Sequence, residues 1–481
     1  MVKMQLSIEQ KVPPKILVNV GALFDIPNCS FVIGKKGETI INGGLGYITL
    51  IAGPTSNYKS TIMHYLMLQA SNRMGGKDIG MYTYDTECNI SIDRLEFMAS
   101  KFPNIPENPV TMDDPVWGIT DKSTVAADKW LNILNDYVEA KNKEKKMYTT
   151  YEGFLNPYTK KDMELPKPSF VEIDSLSEFE AQSTVEMLSE NIDSSDTNTY
   201  ALKQSLFKTK MISTIPSLAT RGNVYFLFAA HIGEKPNLAT GPAAYNQPMR
   251  KFQHIKGADV IKGISNKANY LLTGVWMAHT ASMLSNKDKT APEYPLNEND
   301  KQVTDLNIVR LTSAKSKAGP GGLSISLIVS QKNGIIPELS EFHFIKESDR
   351  FGIAGNNIHY NLVLRPDVKL TRTTVRSKLA EDKLLRRAVN ITAELLQLKI
   401  YHSSLVDQGL WCTPEQLYED IKALGYEWDI LLDTREYWTI DQYTNPMPFL
   451  SVVDLLNIRL GKYHPYFLDK DKKLKKEYIR K

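Results

Sequence analysis

The chain has 481 residues, a length typical of two to four domains or of one large domain with additions. Hydrophobic residues make up 42% and charged residues 23%, which excludes a mainly disordered chain, a collagen and a small disulfide-stapled protein. Because 58 Lys and Arg are balanced by 55 Asp and Glu, the formal net charge is only +3, and overall charge gives no indication of nucleic-acid binding.

The N-terminus and the cysteines lead to an expectation about the compartment. Residues 1–15 lack the apolar stretch of a signal peptide, and no apolar run approaches the ~18 residues of a membrane span. The cysteines Cys29, Cys88 and Cys412 lie far apart, without metal-ligand spacing or an even disulfide framework, which fits a reducing compartment. We therefore expect a cytoplasmic protein without a membrane partner.

The first part of the chain alternates strand and helix patterns. In chain order we predict an extended segment over 16–24, a buried strand over 47–52, a loop over 53–61, a helix over 62–76, a strand ending in acids over 79–87, a helix over 117–145, a surface insertion over 148–168 and a third strand over 170–174.

The second part continues this alternation and then becomes helical. We predict an acidic loop or helix over 178–199, a helix over 200–219, a fourth strand over 224–231, a long loop over 234–267, strands over 270–277, 306–312 and 323–330, and a polar insertion over 279–305. From about residue 371 the pattern is helical, and it ends in a basic tail over 469–481.

Alternating strands and helices predict an α/β core around a mostly parallel sheet flanked by helices. We divide the chain into an N-terminal arm over 1–30, a core over 31–370 and a small, mainly helical C-terminal domain over 371–481. The stretch 16–24 is either a strand that docks on a neighbouring copy or the first strand of the core.

A phosphate-binding loop is predicted between the first buried strand and its helix. The sequence GPTSNYKS matches the pattern G-x-x-x-x-G-K-[ST] except that Tyr58 replaces the second glycine. In this context backbone N–H groups and the helix dipole point at phosphate, Lys59 reaches the outer phosphates and Ser60 binds Mg²⁺. The alternative is a strand–turn–helix junction with a chance lysine. The predicted nucleotide-binding residues are Gly53, Pro54, Thr55, Ser56, Asn57, Tyr58, Lys59, Ser60 and Thr61.

Polar residues end the later predicted strands, at the sheet edge where ligands bind in open α/β sheets. Glu87 is a candidate to orient an attacking water, with Asp85 close by as an alternative. Asp174 is a candidate magnesium ligand, or else a helix cap. His231, at the end of the fourth strand, is either a structural histidine or a sensor of the terminal phosphate.

Taken together, these motifs resemble the RecA-type recombinase family, and most of all its UvsX-like strand-exchange recombinases from tailed bacteriophages. The resemblance spans roughly residues 26–336 and is looser over TNPMPFLSVVDLLNIRLGKYHP near the C-terminus. The stretches that carry it are GPTSNYKS with its aromatic residue in place of the second glycine, YDTECNI, FVEIDSLSEF, AAHIGE and VRLTSAKSKAGPGG.

The resemblance implies a RecA-like phosphate-loop ATPase core with ATP and Mg²⁺ as its ligands. It assigns catalytic roles to Lys59, Glu87 and His231, and metal binding to Asp174 together with Ser60. It also implies two groups of nucleotide contacts outside the loop. Lys315 and Lys317 would reach a neighbouring subunit's ATP, and Arg94 would lie over adenine unless it is an ordinary surface arginine.

The resemblance further implies a DNA-dependent ATPase that forms helical filaments on single-stranded DNA and pairs it with duplex DNA. Mediator and single-strand-binding proteins are further candidate partners, and a viral protein would act in the cytoplasm of the infected bacterial host. The loop over 234–267 combines basic and aromatic residues, as a single-strand groove requires, or else is a solvated basic surface. The DNA-binding candidates are Arg250, Lys251, Phe252, Lys256, Lys262 and Lys267.

Two other functions remain open from the sequence. A hexameric replicative helicase motor of the DnaB type shares this core and would use an arginine finger, for which Arg310 is the candidate. A RecA-like paralogue that binds DNA without strand exchange is favoured by the stretch 177–199, which has six acids and no Lys or Arg.

Overall fold

A computed structural model describes residues 14–180, 197–234, 259–261, 268–286, 288–296, 304–317 and 321–479, together with residues 7, 12 and 319. The strands are β1 Ser30–Ile33, β2 Thr39–Asn42, β3 Ile48–Gly53, β4 Gly80–Asp85, β5 Trp117–Asp121, β6 Tyr148–Leu155, β7 Asp162–Pro166, β8 Ser169–Asp174, β9 Val224–Glu234, β10 Asp259–Ile261, β11 Gly274–Ala278, β12 Ser282–Met283, β13 Leu306–Ser316, β14 Ser324–Ser330, β15 Gly334–Ile335, β16 Ile353–Gly355, β17 Tyr360–Leu362 and β18 Arg365–Leu370.

The helices alternate with these strands up to β15 and then dominate the C-terminal part. They are α1 Lys59–Met74, α2 Ile92–Ala99, α3 Ala127–Lys143, α4 Thr197–Gly222, α5 Ala268–Leu271, α6 Pro337–Glu347, α7 Val375–Glu381, α8 Lys383–Tyr401, α9 Ser403–Asp407, α10 Pro414–Ala423, α11 Trp428–Leu432 and α12 Val452–Arg459. Within the described ranges, no helix is both long enough and apolar enough to cross a membrane.

A large mixed sheet organises the chain, in the order β15-β14-β13-β11-β3-β9-β8-β4-β5. The strands from β11 to β5 run parallel, whereas β13, β14 and β15 continue the sheet antiparallel. The expected mostly parallel sheet flanked by helices is therefore confirmed. Register brings Gly53 beside His231 and Asp85 beside Asp174, so the carboxyl ends of these strands meet at one edge.

The centre of the sheet explains why its strands read as continuous apolar runs. All six residues of β3 are buried, because parallel neighbours β9 and β11 pair with it and helices cover its faces. Helix α1 follows β3 and is buried nearly all round, and its buried residues include polar ones such as His64, Asn72 and Arg73. It ends at Gly75, whose φ of 120° stops the helix.

Two sequence predictions in the first half are wrong in part. The helix predicted over 117–145 begins only at Ala127, because Trp117–Asp121 forms β5 beside β4 and the Trp117 indole donates to Thr83 Oγ1. The predicted surface insertion over 148–168 is the hairpin β6–β7, which buries aromatic residues. Its Phe154 packs edge-on against Trp438, with ring centroids 4.6 Å apart. The hairpin thus connects the sheet to the C-terminal region.

Further differences concern short segments near the strand ends. The strand predicted over 270–277 is shorter, because the chain up to Leu271 forms α5 and only Gly274–Ala278 pairs in the sheet. The stretch 16–24 packs into this chain's own core, where Val18 is fully buried and exchanges backbone hydrogen bonds with Leu45. It is therefore the first segment of the core, the second of the two interpretations above.

The C-terminal helices share the hydrophobic core of the sheet and contact its other elements through buried polar groups. Arg73, near the end of α1, contacts Asp25 at 3.2 Å and Glu436 at 2.5 Å. Gln397 on α8 donates to the Leu23 carbonyl oxygen. The N-terminal segment, the phosphate-loop helix and the C-terminal region are thus held together by one buried network.

This network makes the stability of the protein depend on pH. Burial raises the pKa of Glu394 on α8 to about 8, although the Arg387 guanidinium opposes the shift. A carboxyl with a raised pKa in the folded state stabilises the folded protein while it holds its proton. The protein loses this stabilisation as pH rises from the unfolded pKa to the folded pKa of the carboxyl. We expect the free energy of unfolding to fall between pH 5.5 and 8.5, and to fall less in Glu394→Gln. Urea unfolding at both pH values measures this, and equal declines in both proteins would contradict it.

Candidate nucleotide-binding site

A cavity of about 700 Å³ opens at the edge where the parallel strands end. The turn after β3 forms its base, and the segments after β4, β8 and β9 contribute its wall. The lining residues are Thr55, Ser56, Asn57, Tyr58, Lys59, Ser60, Thr61, His64, Glu87, Asn89, Ile90, Ser91, Arg94, Leu95, Asp174, His231 and Gln331. The structure therefore brings the predicted loop and all three predicted strand-end residues to one place.

Two residues of the loop over 53–61 have tightly constrained backbones. Gly53 is packed so closely that a Cβ there would lie 2.7 Å from the Ala278 carbonyl oxygen. Tyr58 takes the left-handed conformation, with φ 59° and ψ 17°, at the position where the pattern has its second glycine. A residue with a Cβ thus holds, at this position, a backbone region that glycine adopts without steric cost.

Lys59 begins α1 and is almost fully buried at the base of the cavity. Its ammonium donates to the Pro54 carbonyl oxygen at 2.6 Å, so the lysine lies across the loop that it would help to fill. Burial lowers its pKa, and the carboxylates of Asp174 and Glu87 oppose that shift. The Pro54 carbonyl is its one hydrogen-bond acceptor among the described residues, so an anion in the cavity would stabilise this buried ammonium.

Ser60 and Asp174 form the part of the site that could hold a metal ion. Burial raises the pKa of the Asp174 carboxyl. Nearby His64 and a hydrogen bond from the Ser60 hydroxyl act in the opposite direction and lower this pKa. Among the described residues, no group of three or more His, Cys, Asp or Glu could hold a metal. Mg²⁺ needs only one or two protein ligands when phosphates and water complete its shell, so this pair fits a nucleotide-bound Mg²⁺.

The two acids at the end of β4 have different roles. Asp85 is buried and accepts backbone hydrogen bonds from the four residues after Thr86, which fixes the turn that follows the strand. Glu87 projects into the cavity, where Asn89 Nδ2 donates to it at 3.2 Å and His231 Nε2 lies 3.4 Å away. Glu87 is therefore the carboxylate available for chemistry, and Asp85 holds its turn.

His231 lies opposite Glu87 at the end of the buried part of β9. Its backbone N–H donates to Ser177 Oγ at 3.0 Å, which ties it to the segment after β8. Its Nδ1 is buried and has no hydrogen-bond partner among the residues that the structure describes. A ring with one contact to the candidate catalytic acid and one unsatisfied nitrogen is suited to respond to a ligand.

Arg94 on α2 forms one side of the cavity. Its guanidinium donates to Thr61 Oγ1 at 2.5 Å and to the Gln331 carbonyl oxygen at 3.1 Å. These bonds hold the guanidinium between the start of α1 and the segment after β14. The position is consistent with a contact to bound nucleotide, and it is more constrained than that of an ordinary surface arginine.

Lys315 and Lys317 do not line this cavity. They lie at the other edge of the sheet, in a second cavity of about 220 Å³ near the start of β3 and β11, together with Lys15. Burial, with a smaller effect from Lys317, lowers the pKa of Lys315 to about 8. The three ammonium groups line a cavity that contains no carboxylate among its described lining residues, so it is a candidate site for an anion.

The predicted DNA-binding residues lie outside the described part of the chain. This applies to Arg250, Lys251, Phe252, Lys256, Lys262 and Lys267, and to most of the acidic stretch 177–199. Of the predicted loop over 234–267, the structure describes Glu234 and Asp259–Ile261. Asp259–Ile261 pairs antiparallel with the end of β9, and this short strand therefore lies close to His231.

Several residues in or beside the site were not predicted from the sequence. His64, one turn after Ser60 on α1, is buried against Glu172 of β8 at 2.8 Å, and a histidine within the apolar run IMHYLM was a usable signal. Asn307 and Ala281 contact the loop through Tyr58 and Asn57. They lie more than two hundred residues along the chain, and no local pattern marks them.

A comparison of the chain with protein-family models finds no match, and a comparison with curated proteins finds none either. The residues of the cavity and their arrangement therefore carry the functional interpretation.

Proposed function

We propose that this protein is a DNA-dependent ATPase with a RecA-like core, and that it acts as a recombinase in filaments on single-stranded DNA. The observation that supports this best is the convergence of Lys59, Ser60, Asp174, Glu87 and His231 on one cavity. A strand–loop–helix junction with a chance lysine does not account for a second strand ending in a buried Asp beside Ser60, or for an acid and a histidine paired above them.

The lower part of the cavity would bind the phosphates. The N–H groups at the start of α1 point into the loop, and the helix dipole favours negative charge there. Lys59 would exchange its bond to the Pro54 carbonyl for one to phosphate. Ser60 and Asp174 would hold Mg²⁺, which when bound neutralises charge on the outer phosphates.

The upper part of the cavity would position water. Glu87 is half-exposed where it lines the cavity, so its oxygens can accept a hydrogen bond from water. In this place a carboxylate orients the water and takes its proton as the water oxygen bonds to the terminal phosphorus and ADP leaves. The contact between His231 Nε2 and Glu87 would change when a terminal phosphate is present, because both side chains line the same space.

We assign Lys315 and Lys317 to the nucleotide of a neighbouring copy, because neither lines this chain's own cavity. A head-to-tail assembly brings one edge of a subunit to the opposite edge of the next, and such contacts generate rings or filaments. The site would then be complete only in the assembly, which couples hydrolysis to assembly on DNA.

Lys315→Ala is expected to lower DNA-stimulated ATP turnover about 100-fold and to leave ADP binding by the single subunit unchanged. The loss follows from removing a cation that acts across the interface. Steady-state turnover with single-stranded DNA, and calorimetric titration of the DNA-free protein with ADP and Mg²⁺, measure the two effects. Weaker ADP binding by the isolated subunit would contradict the assignment.

A mixing experiment tests the same assignment from the other side. Lys59→Ala subunits retain Lys315, and Lys315→Ala subunits retain Lys59, so random co-assembly restores intact sites at some interfaces. An equimolar mixture of the two inactive variants is expected to recover roughly a quarter of wild-type turnover. No recovery in a mixture that still assembles would show that the lysine acts within its own subunit.

Electron microscopy of the protein with ATP, Mg²⁺ and single-stranded DNA tests the proposed assembly. Helical filaments would support a recombinase. Six-membered rings would instead favour the replicative helicase motor, in which the exposed Arg310 on β13 would be the arginine finger. Binding of ATP without ordered assembly would favour a paralogue that does not exchange strands.

A further inference from the structure

Tyr58 holds a backbone conformation that normally requires glycine. Its φ of 59° lies in the left-handed region, which residues with a Cβ rarely occupy. Such a residue keeps this conformation where the surrounding structure holds it there. The contacts of the Tyr58 side chain therefore bear directly on the shape of the phosphate loop.

The side chain of Tyr58 is held from a distant part of the chain. Asn307 Nδ2 donates to the Tyr58 hydroxyl at 2.8 Å. Asn307 is the second residue of β13 and is paired with Val329 on one side and Met283 on the other, so its backbone is fixed within the sheet. Its side chain thus presents the amide from a rigid position.

The neighbouring loop residue is held by the same part of the fold. The Ala281 backbone N–H, just before β12, donates to Asn57 Oδ1 at 2.7 Å. Asn57 is buried, so this bond is protected from water. Two consecutive residues of the loop are therefore attached to the segment that runs from β11 to β13.

We propose that Asn307 is a positioning residue that keeps Tyr58, and through it the phosphate loop, in the shape that binds nucleotide. The Tyr58–Asn307 pair takes the place of the second glycine in the loop pattern. This inference rests on the proposed nucleotide-binding function. Asn307 does not line the cavity, so its effect passes through Tyr58.

The effect of replacing Asn307 on nucleotide binding should depend on the residue at position 58. Glycine adopts the left-handed conformation without steric cost and needs no side-chain support. Replacing Asn307 should therefore weaken nucleotide binding when residue 58 is tyrosine and have no effect on it when residue 58 is glycine. If Asn307 only stabilised β13, its replacement would weaken binding equally in both cases.

The test measures binding of ADP with Mg²⁺ to the full chain by calorimetric titration. We expect Asn307→Ala and Tyr58→Phe each to weaken binding about fivefold, because both remove the same hydrogen bond. In the Tyr58→Gly background, adding Asn307→Ala should change the affinity for ADP no further. In turnover assays Asn307→Ala should raise KM for ATP and leave kcat unchanged, since it acts on loop shape and not on the water.

Asn361→Ala is the matched control, because Asn361 is a half-buried strand asparagine whose amide donates to the Pro366 carbonyl oxygen outside the cavity. If Asn307→Ala does not fold, Tyr58→Phe removes the same bond without altering β13 and decides the question. Unchanged affinity in Tyr58→Phe, or an equal loss from Asn307→Ala in both backgrounds, would overturn the inference alone. Absence of ADP binding by the wild-type chain would overturn the proposed function with it.

Discussion

Replacing Lys59 with alanine is expected to lower ATP turnover by at least about 100-fold while the fold stays intact. Lys59 supplies the buried ammonium at the base of the cavity, and no other lysine lines it among the described residues. Its removal leaves the outer phosphates without their principal cation. Steady-state hydrolysis of ATP with Mg²⁺, with and without single-stranded DNA, measures the loss.

Lys35→Ala is the control for this variant. Lys35 is an exposed lysine that does not line the cavity, and its ammonium pairs with Asp162 at 2.9 Å. It should retain wild-type turnover, since an exposed ion pair contributes little to stability. Full turnover in Lys59→Ala would mean that the loop over 53–61 does not bind the reacting phosphates.

Replacing Glu87 with glutamine is expected to lower turnover by about 10²–10⁴-fold and to leave ADP binding unchanged. The substitution keeps the shape of the side chain and its contact with Asn89 but removes the base that accepts a proton from water. The effect should therefore fall on kcat, with KM for ATP nearly the same. Single-turnover hydrolysis and ADP titration separate these two quantities.

Glu96→Gln is a matched control on the neighbouring helix, because Glu96 accepts hydrogen bonds from Thr111 and does not line the cavity. Its turnover should equal that of the wild type. Asp85→Asn offers a contrast, since it weakens the turn that positions Glu87 and should reduce thermal stability as well as turnover. A Glu87→Gln variant with wild-type kcat would remove Glu87 from the mechanism.

The local parts of the site could be predicted from the sequence because each depends on neighbouring residues. The loop over 53–61 follows a buried strand and precedes a helix, so pattern and context agree. Asp174 and Glu87 end apolar runs, and parallel strands bring such ends to one edge. Asp85 and Glu87 lie two residues apart at the same strand end. Only the structure shows that Glu87, and not Asp85, projects into the cavity.

Other features could not be predicted because they depend on contacts between distant segments. The sequence around Trp117 gives no strand signal strong enough to separate β5 from the helix that follows it. The hairpin β6–β7 looks like a surface insertion in the sequence, and Trp438, almost three hundred residues later, packs against its Tyr151 and Phe154. Asn307 could not be predicted for the same reason, since its proposed role depends on a contact with Tyr58, which is distant in the chain.

The most direct test of the whole account is ATP hydrolysis by the wild-type chain with Mg²⁺, measured with and without single-stranded DNA in the same preparation. We expect hydrolysis that DNA increases by about 100-fold, because Lys315 completes a neighbour's site only after assembly. Absence of hydrolysis under both conditions, with no detectable binding of ATP, would contradict it. Hydrolysis that DNA does not change would contradict the DNA-dependent assembly while leaving the nucleotide site in place.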